Sequence, residues 1–197
     1  MVLNNLKNYL KTLALLGGKG YNGTSSSDAW IPAPYPIYNT SGVEQTYFYT
    51  VSNSSRNDTP FLYGDGVQLN TSQTSLSSLR TALVLGTGTT PVTAEDYRLE
   101  AIIDSNISLS SSSNPKSTVV DKDNEKITRK PVLIYSVKNT GSSDLDVTEA
   151  GLICPYCANS TSVVPVMVHR EVFDTPLTIP AGGIRTFQFD FEFVNQM

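Results

Sequence analysis

An all-β fold is what this sequence predicts: an antiparallel β-sandwich, immunoglobulin-like or jelly-roll-like, preceded by a short amphipathic helix and an extended arm. Three observations carry that reading. Charged residues make up only 16% of the chain, and the deficit is filled by Ser, Thr and Asn, which suit exposed strand faces and turns. Short apolar segments alternate with turn-forming residues from Val43 to the end, with no second long helical pattern. The last of them is the clearest: Phe187, Phe189, Phe191 and Phe193 alternate with Gln188, Asp190 and Glu192, the period of a strand with one aromatic face.

Taken in order, residues 2–16 predict a helix. Leu3, Leu6, Leu10 and Leu13 recur at three- and four-residue spacing, and Gly17-Gly18 ends the pattern. A helix of this length is marginal alone in water, so its leucines must dock, on their own domain or on a neighbouring subunit. Residues 19–42 read as an arm. Its first half is rich in Gly and Ser, and its second half, through Trp30 and Tyr35, is held extended by Pro32, Pro34 and Pro36. Leu3, Leu6, Leu10, Leu13, Trp30 and Tyr35 are therefore the interface candidates. The sandwich itself is assigned to residues 43–197, after the helix at 1–18 and the arm at 19–42.

Within the sandwich, strands are predicted at 43–51 and 79–85, the latter ended by Gly86-Thr87-Gly88, whose glycines are expected to supply unusual backbone angles. Thr93 opens a short helical turn, with Asp96 three residues on as a capping-box mimic. Ile107 and Leu109 alternate with serines. Residues 132–137 are nearly continuously apolar, as in a strand buried on both faces. Asn139-Thr140-Gly141-Ser142 is a turn between strands. Residues 145–153 and 163–173 form further strands, Thr175-Pro176 breaks a ladder, and Ile179-Pro180-Ala181-Gly182-Gly183 turns the chain into the phenylalanine strand.

Composition narrows function. The net charge is −4 and Lys and Arg are scattered, so no basic face is offered and direct nucleic-acid binding is not expected. No apolar run approaches a membrane span. The apolar stretch after Lys11 is too short for a signal peptide and is read as structure. The Asn-x-Ser/Thr triplets at Asn22, Asn39, Asn53, Asn57, Asn70, Asn106 and Asn159 are what a chain rich in these residues produces by chance.

Three stretches, in order, resemble a recurring β-sandwich domain of tailed-bacteriophage and prophage virion proteins. They are Leu85-Gly86-Thr87-Gly88-Thr89-Thr90-Pro91-Val92-Thr93-Ala94-Glu95-Asp96-Tyr97-Arg98-Leu99; Val137-Lys138-Asn139-Thr140-Gly141-Ser142 with Val147-Thr148-Glu149-Ala150-Gly151-Leu152; and His169-Arg170-Glu171-Val172-Phe173-Asp174-Thr175-Pro176-Leu177-Thr178-Ile179-Pro180-Ala181-Gly182-Gly183. They cover most of residues 80–193. The resemblance implies a non-enzymatic structural component of the virion, of the tail, neck or collar, baseplate or fibre-attachment kind. It would be assembled in the host cytoplasm and pack against copies of itself and other virion proteins. It brings no catalytic residue and no cofactor. A carbohydrate-binding or host-adhesion module, with Trp30, Tyr35, Tyr38, Tyr47 and Tyr49 as a sugar platform, is the alternative, and a capsid decoration protein is another.

Other chemistry is weaker. Cys154-Pro155-Tyr156-Cys157 has the letters of a glutaredoxin site, but such a thiolate needs a helix N-terminus, and strand is predicted before it. Cys154, Cys157 and His169 are low-ranking zinc candidates, three ligands where a structural site wants four; Glu171 or a second chain would have to complete them. Asp121-Lys122-Asp123-Asn124-Glu125 begins like a calcium loop but lacks its glycine and its twelfth-position glutamate, so a hairpin is expected. Asp96 and Glu149 are carboxylates that nothing in the spacing forces together.

Overall fold

The computed structural model describes residues 1–8, 30–49, 68–69, 82–123, 126–157, 163–191 and 193–196. The fold is all-β. Among the described residues ten strands follow in order: β1 (Trp30–Tyr38), β2 (Glu44–Tyr49), β3 (Gln68–Leu69), β4 (Ala82–Gly86), β5 (Ile107–Asp123), β6 (Lys126–Asn139), β7 (Leu145–Cys157), β8 (Val163–Ile179), β9 (Ile184–Asp190) and β10 (Phe193–Gln196). One sheet has the order β3-β4-β7-β8. In a second, β6 pairs with β5 on one side and with β9 and β10 on the other, and β1 and β2 form a separate two-stranded sheet. Pairing is antiparallel except between β3 and β4, which run parallel, a departure from the purely antiparallel expectation.

The two sheets face each other across one core. Leu83, Leu85, Leu152, Val166 and Val168 from the first sheet meet Leu133, Tyr135, Val137, Phe187 and Phe189 from the second, with Phe191 just beyond β9. In β9 the alternation holds: Phe187 and Phe189 are buried while Gln188 and Asp190 are exposed. Phe193 opens β10 opposite Arg129, and Glu192 lies outside the described residues.

Burial on both faces falls on β4, not on 132–137 as expected. Every residue of β4 is buried, because a second cluster of Leu3, Val84, Leu99, Ile153 and Met167 covers the outer face of its sheet. Across residues 132–137 only Leu133, Tyr135 and Val137 are buried, and the residues between them are half-exposed. A bulge in β7 keeps Val147 and Ala150, three apart, in the same core. Strand β8 is continuous, yet residues 173–176 stand opposite Thr148 alone, so Thr175-Pro176 does interrupt the ladder, within one strand and not between two.

The N-terminal segment and the arm are more tightly tied than expected. Residues 4–8 are helical, and the rest of the predicted helix, with Leu10 and Leu13, lies outside the described residues. Residues 1–3 run along the edge of β8: Val2 bridges His169, Leu3 N donates to Val168 O at 3.0 Å, and Arg170 N donates to Met1 O at 3.2 Å. Leu3 and Leu6 are fully buried in the chain's own clusters. Of the interface candidates, these two realise their burial, about 1.5–3 kcal/mol apiece, against the chain's own sheets. The second half of the arm is strand β1, hairpinned onto β2. Pro34 and Pro36 are tolerated because the register breaks between Pro32, which still stands opposite Tyr47, and Ile37.

Candidate functional site

The densest polar constellation lies on the outer face of the first sheet, under residues 87–103. Glu149 projects from β7 into an apolar surround with no exposed surface. An isolated carboxylate there would be prohibitive, and it persists only because every direction is occupied. Oε1 accepts from Gly88 N at 3.1 Å and Ala101 N at 2.9 Å; Oε2 accepts from Glu100 N at 3.2 Å and from Arg170 Nε and Nη2 at 3.0 and 2.8 Å. Arg170, on β8 opposite Gly151, reaches on to Asp96 Oδ2 with Nη1 at 2.7 Å. The two carboxylates that the sequence left apart thus converge on one guanidinium.

Local structure sets each partner. Thr93 and Asp96 form the expected capping-type turn: Thr93 N and Oγ1 donate to the Asp96 carboxylate at 3.1 and 2.7 Å, and Asp96 N donates back to Thr93 O at 3.3 Å. Gly86 and Gly88 are required for a different reason from the one expected. Neither has a left-handed backbone. A Cβ on Gly86 would lie 2.5 Å from Ala101 O and from Glu149 Oε1, and one on Gly88 would lie 2.5 Å from Glu100 Cβ and Glu149 Oε1. Close approach, not conformation, selects glycine.

The charges are mutually stabilised. Burial works against ionised Asp96, but hydrogen bonds from Arg170 and Thr93 outweigh it and hold its carboxyl below the usual carboxylate range. Burial also works against charged Arg170, and Asp96 and Glu149 more than restore it. Glu100, at the surface, is lowered by the amides of Thr90 and Thr89. All five hydrogen bonds that the Glu149 carboxylate accepts come from the chain's own amides and guanidinium. What this arrangement does is staple the 87–103 segment to the sheet.

Two asparagines complete the wiring. Asn139, buried at the end of β6, donates to Ser143 O and Ile179 O at 2.8 and 2.9 Å and accepts from Gly141 N at 2.9 Å. Asn5 bonds both backbone groups of Tyr38 and Met167 O within 3.0 Å, clamping the N-terminal turn to β1 and β8. Asn5 carried no sequence signal. Arg170 carried a weak one, a cation inside an apolar strand next to another strand holding Glu149.

The remaining candidates are dispersed. Cys154-Pro155-Tyr156-Cys157 is the end of strand β7, paired in register from Cys154↔Val166 to Cys157↔Val163. Cys154 is buried in the inter-sheet core, so the helix start that thioredoxin-like chemistry needs is not provided there. The Cys157 side chain lies outside the described residues. His169 packs edge-on against Phe189 and Phe191, with ring centroids 5.2 and 5.7 Å away. Its Nε2 lies 3.3 Å from the Met1 amine, and its buried Nδ1 has no partner among the described residues. Burial, then the amine's charge, push its pKa down to about 4. Glu171 is exposed, and no group of three or more His, Cys, Asp or Glu poised for a metal occurs among the described residues. Asp123 pairs with Lys126, which makes the calcium-like stretch a hairpin. Tyr35 is half-buried, Tyr38 is exposed at one edge, and Trp30 is in register with Tyr49.

No protein-family model, no curated protein and no solved structure matches the chain.

Proposed function

We propose that this chain is a non-enzymatic structural component of a tailed-phage particle, of the tail, neck or collar, baseplate or fibre-attachment kind, acting by packing against copies of itself and other virion proteins. One observation carries the reading. The three stretches that resemble the virion domain are separate in sequence, yet Asp96 of the first, Glu149 of the second and Arg170 of the third meet in one buried network. Asn139 of the second stretch also bonds the third at Ile179. The resembling residues are therefore those that lock one scaffold together, and their polar groups are spent on each other. Such use favours a building block over a site that must hold a substrate.

The test is localisation. Particles purified from cells carrying the encoding genome should contain the chain at a fixed copy number, and electron cryo-microscopy should place its sandwich in the tail, neck or baseplate density. A chain found only in the lysate and absent from purified particles would overturn the proposal.

A further inference from the structure

The N-terminal eight residues are docked in an unusual way. Residues 1–3 occupy the edge of β8, Leu3 fills the outer cluster, Leu6 fills the inter-sheet core, and Asn5 bridges β1 and β8. Removing them would uncover two apolar clusters and a row of edge amides and carbonyls, so some strand must sit there. Apart from Lys7 N to Leu3 O, the hydrogen bonds shown for this segment reach residues distant in sequence: Pro36, Tyr38, Ala94, Glu95 and residues 167–170. The 21 residues from 9 to 29 that join it to β1 include four glycines and three consecutive serines, and a chain of that length can reach at most about 70 Å.

From this we infer that residues 1–8 are an exchangeable strand, which a second copy of the chain can supply to the β8 edge in place of the chain's own. The two arrangements make identical contacts, so the balance between them depends only on concentration and linker reach. A tether of this length presents its own segment at an effective concentration on the order of millimolar. Copies packed side by side in an assembly match that, whereas dilute chains do not. Exchange would thus link neighbours once they are gathered, and it deepens the packing role proposed above by naming the element that does it.

Cross-linking decides the matter. In a Cys154→Ser, Cys157→Ser background, Val2→Cys with His169→Cys places thiols on the bridged pair, and Asn4→Cys with Ala94→Cys repeats the measurement without altering His169. Protein refolded dilute and then oxidised should give intrachain links. Protein oxidised after refolding at high concentration, or in assembled oligomers, should give covalent dimers and ladders on non-reducing gels, the interchain share rising about tenfold or more. Oligomers that form with only intrachain links would overturn exchange and leave the assembly role standing. Monomers alone, with intrachain links at every concentration, would overturn exchange and also remove support for self-packing.

Discussion

Glu149 and Arg170 set the residue scale, because they are buried, opposite charges in direct contact, with Asp96 as the second partner of the guanidinium. Replacing one leaves the other uncompensated, a loss of about 3–5 kcal/mol. Glu149→Gln and Arg170→Met should each fall in that range by denaturant melts. The double variant should lose less than the sum by on the order of 2 kcal/mol, since neither Glu149 nor Arg170 is then left as a buried orphan and only the partly exposed Asp96 loses its partner. Additive losses would mean that the contact carries no coupling. The glycines give a sharper steric test. Gly86→Ala pushes a methyl against the Ala101 carbonyl and should cost about 1–3 kcal/mol through overpacking. Gly182 has φ +71° and open space around it, so Gly182→Ala should cost about 1–2 kcal/mol from backbone strain alone. The two are separable, because Gly182→Asn should recover most of the loss and Gly86→Asn none.

At the scale of the element, β9 carries the energy that its alternation advertises. Phe189→Ala empties part of the inter-sheet core beside Tyr135 and His169 and should cost about 3–5 kcal/mol. Gln188→Ala, one residue away on the exposed face, should stay within about 0.5 kcal/mol. Comparable losses from the two would contradict the half-buried strand. This element was legible because its period of two is uninterrupted, and the turn at Asn139 was legible from its residue types. The β1–β2 hairpin was not, since three prolines mask a strand whose ladder is broken at two of them, Pro34 and Pro36. The exchange of burial between β4 and β6 was not legible either. It depends on Leu3 and Leu99 arriving from distant sequence to cover one outer face, and local patterning does not encode such a contact. The Glu149–Arg170 pair required the register between β7 and β8, which bulges shift in two places.

For the whole molecule, acid stability couples the N-terminal clip to the core through the chain's single histidine. His169 lies where residues 1–3 cross β8 and touches two core phenylalanines. Its folded pKa is lowered, by burial first and by the Met1 amine second, to about 4 from an ordinary 6.5. Between those values the unfolded chain binds a proton that the folded chain does not, so unfolding free energy rises with pH across that window. Stability is therefore complete above about 6.5 and is lost as pH falls towards about 4. The loss amounts to on the order of 2–3 kcal/mol after allowance for the partly exposed ring. Below that window the histidine is charged in both states and contributes no further slope. Asp96, whose folded pKa is lowered, then takes over, its stabilisation fading as it is protonated beneath its ordinary 3.8. The Met1 amine, also lowered by burial and partly offset by Glu171, acts separately, below its ordinary 8.0. His169→Phe keeps an aromatic ring against Phe189 and Phe191 and removes the titration. Urea melts from pH 7 to 4 should show a falling midpoint for the parent chain and a nearly flat one for that variant. A parent profile that is flat through the same window, or a variant that falls as steeply, would mean that the imidazole is not held neutral by the fold.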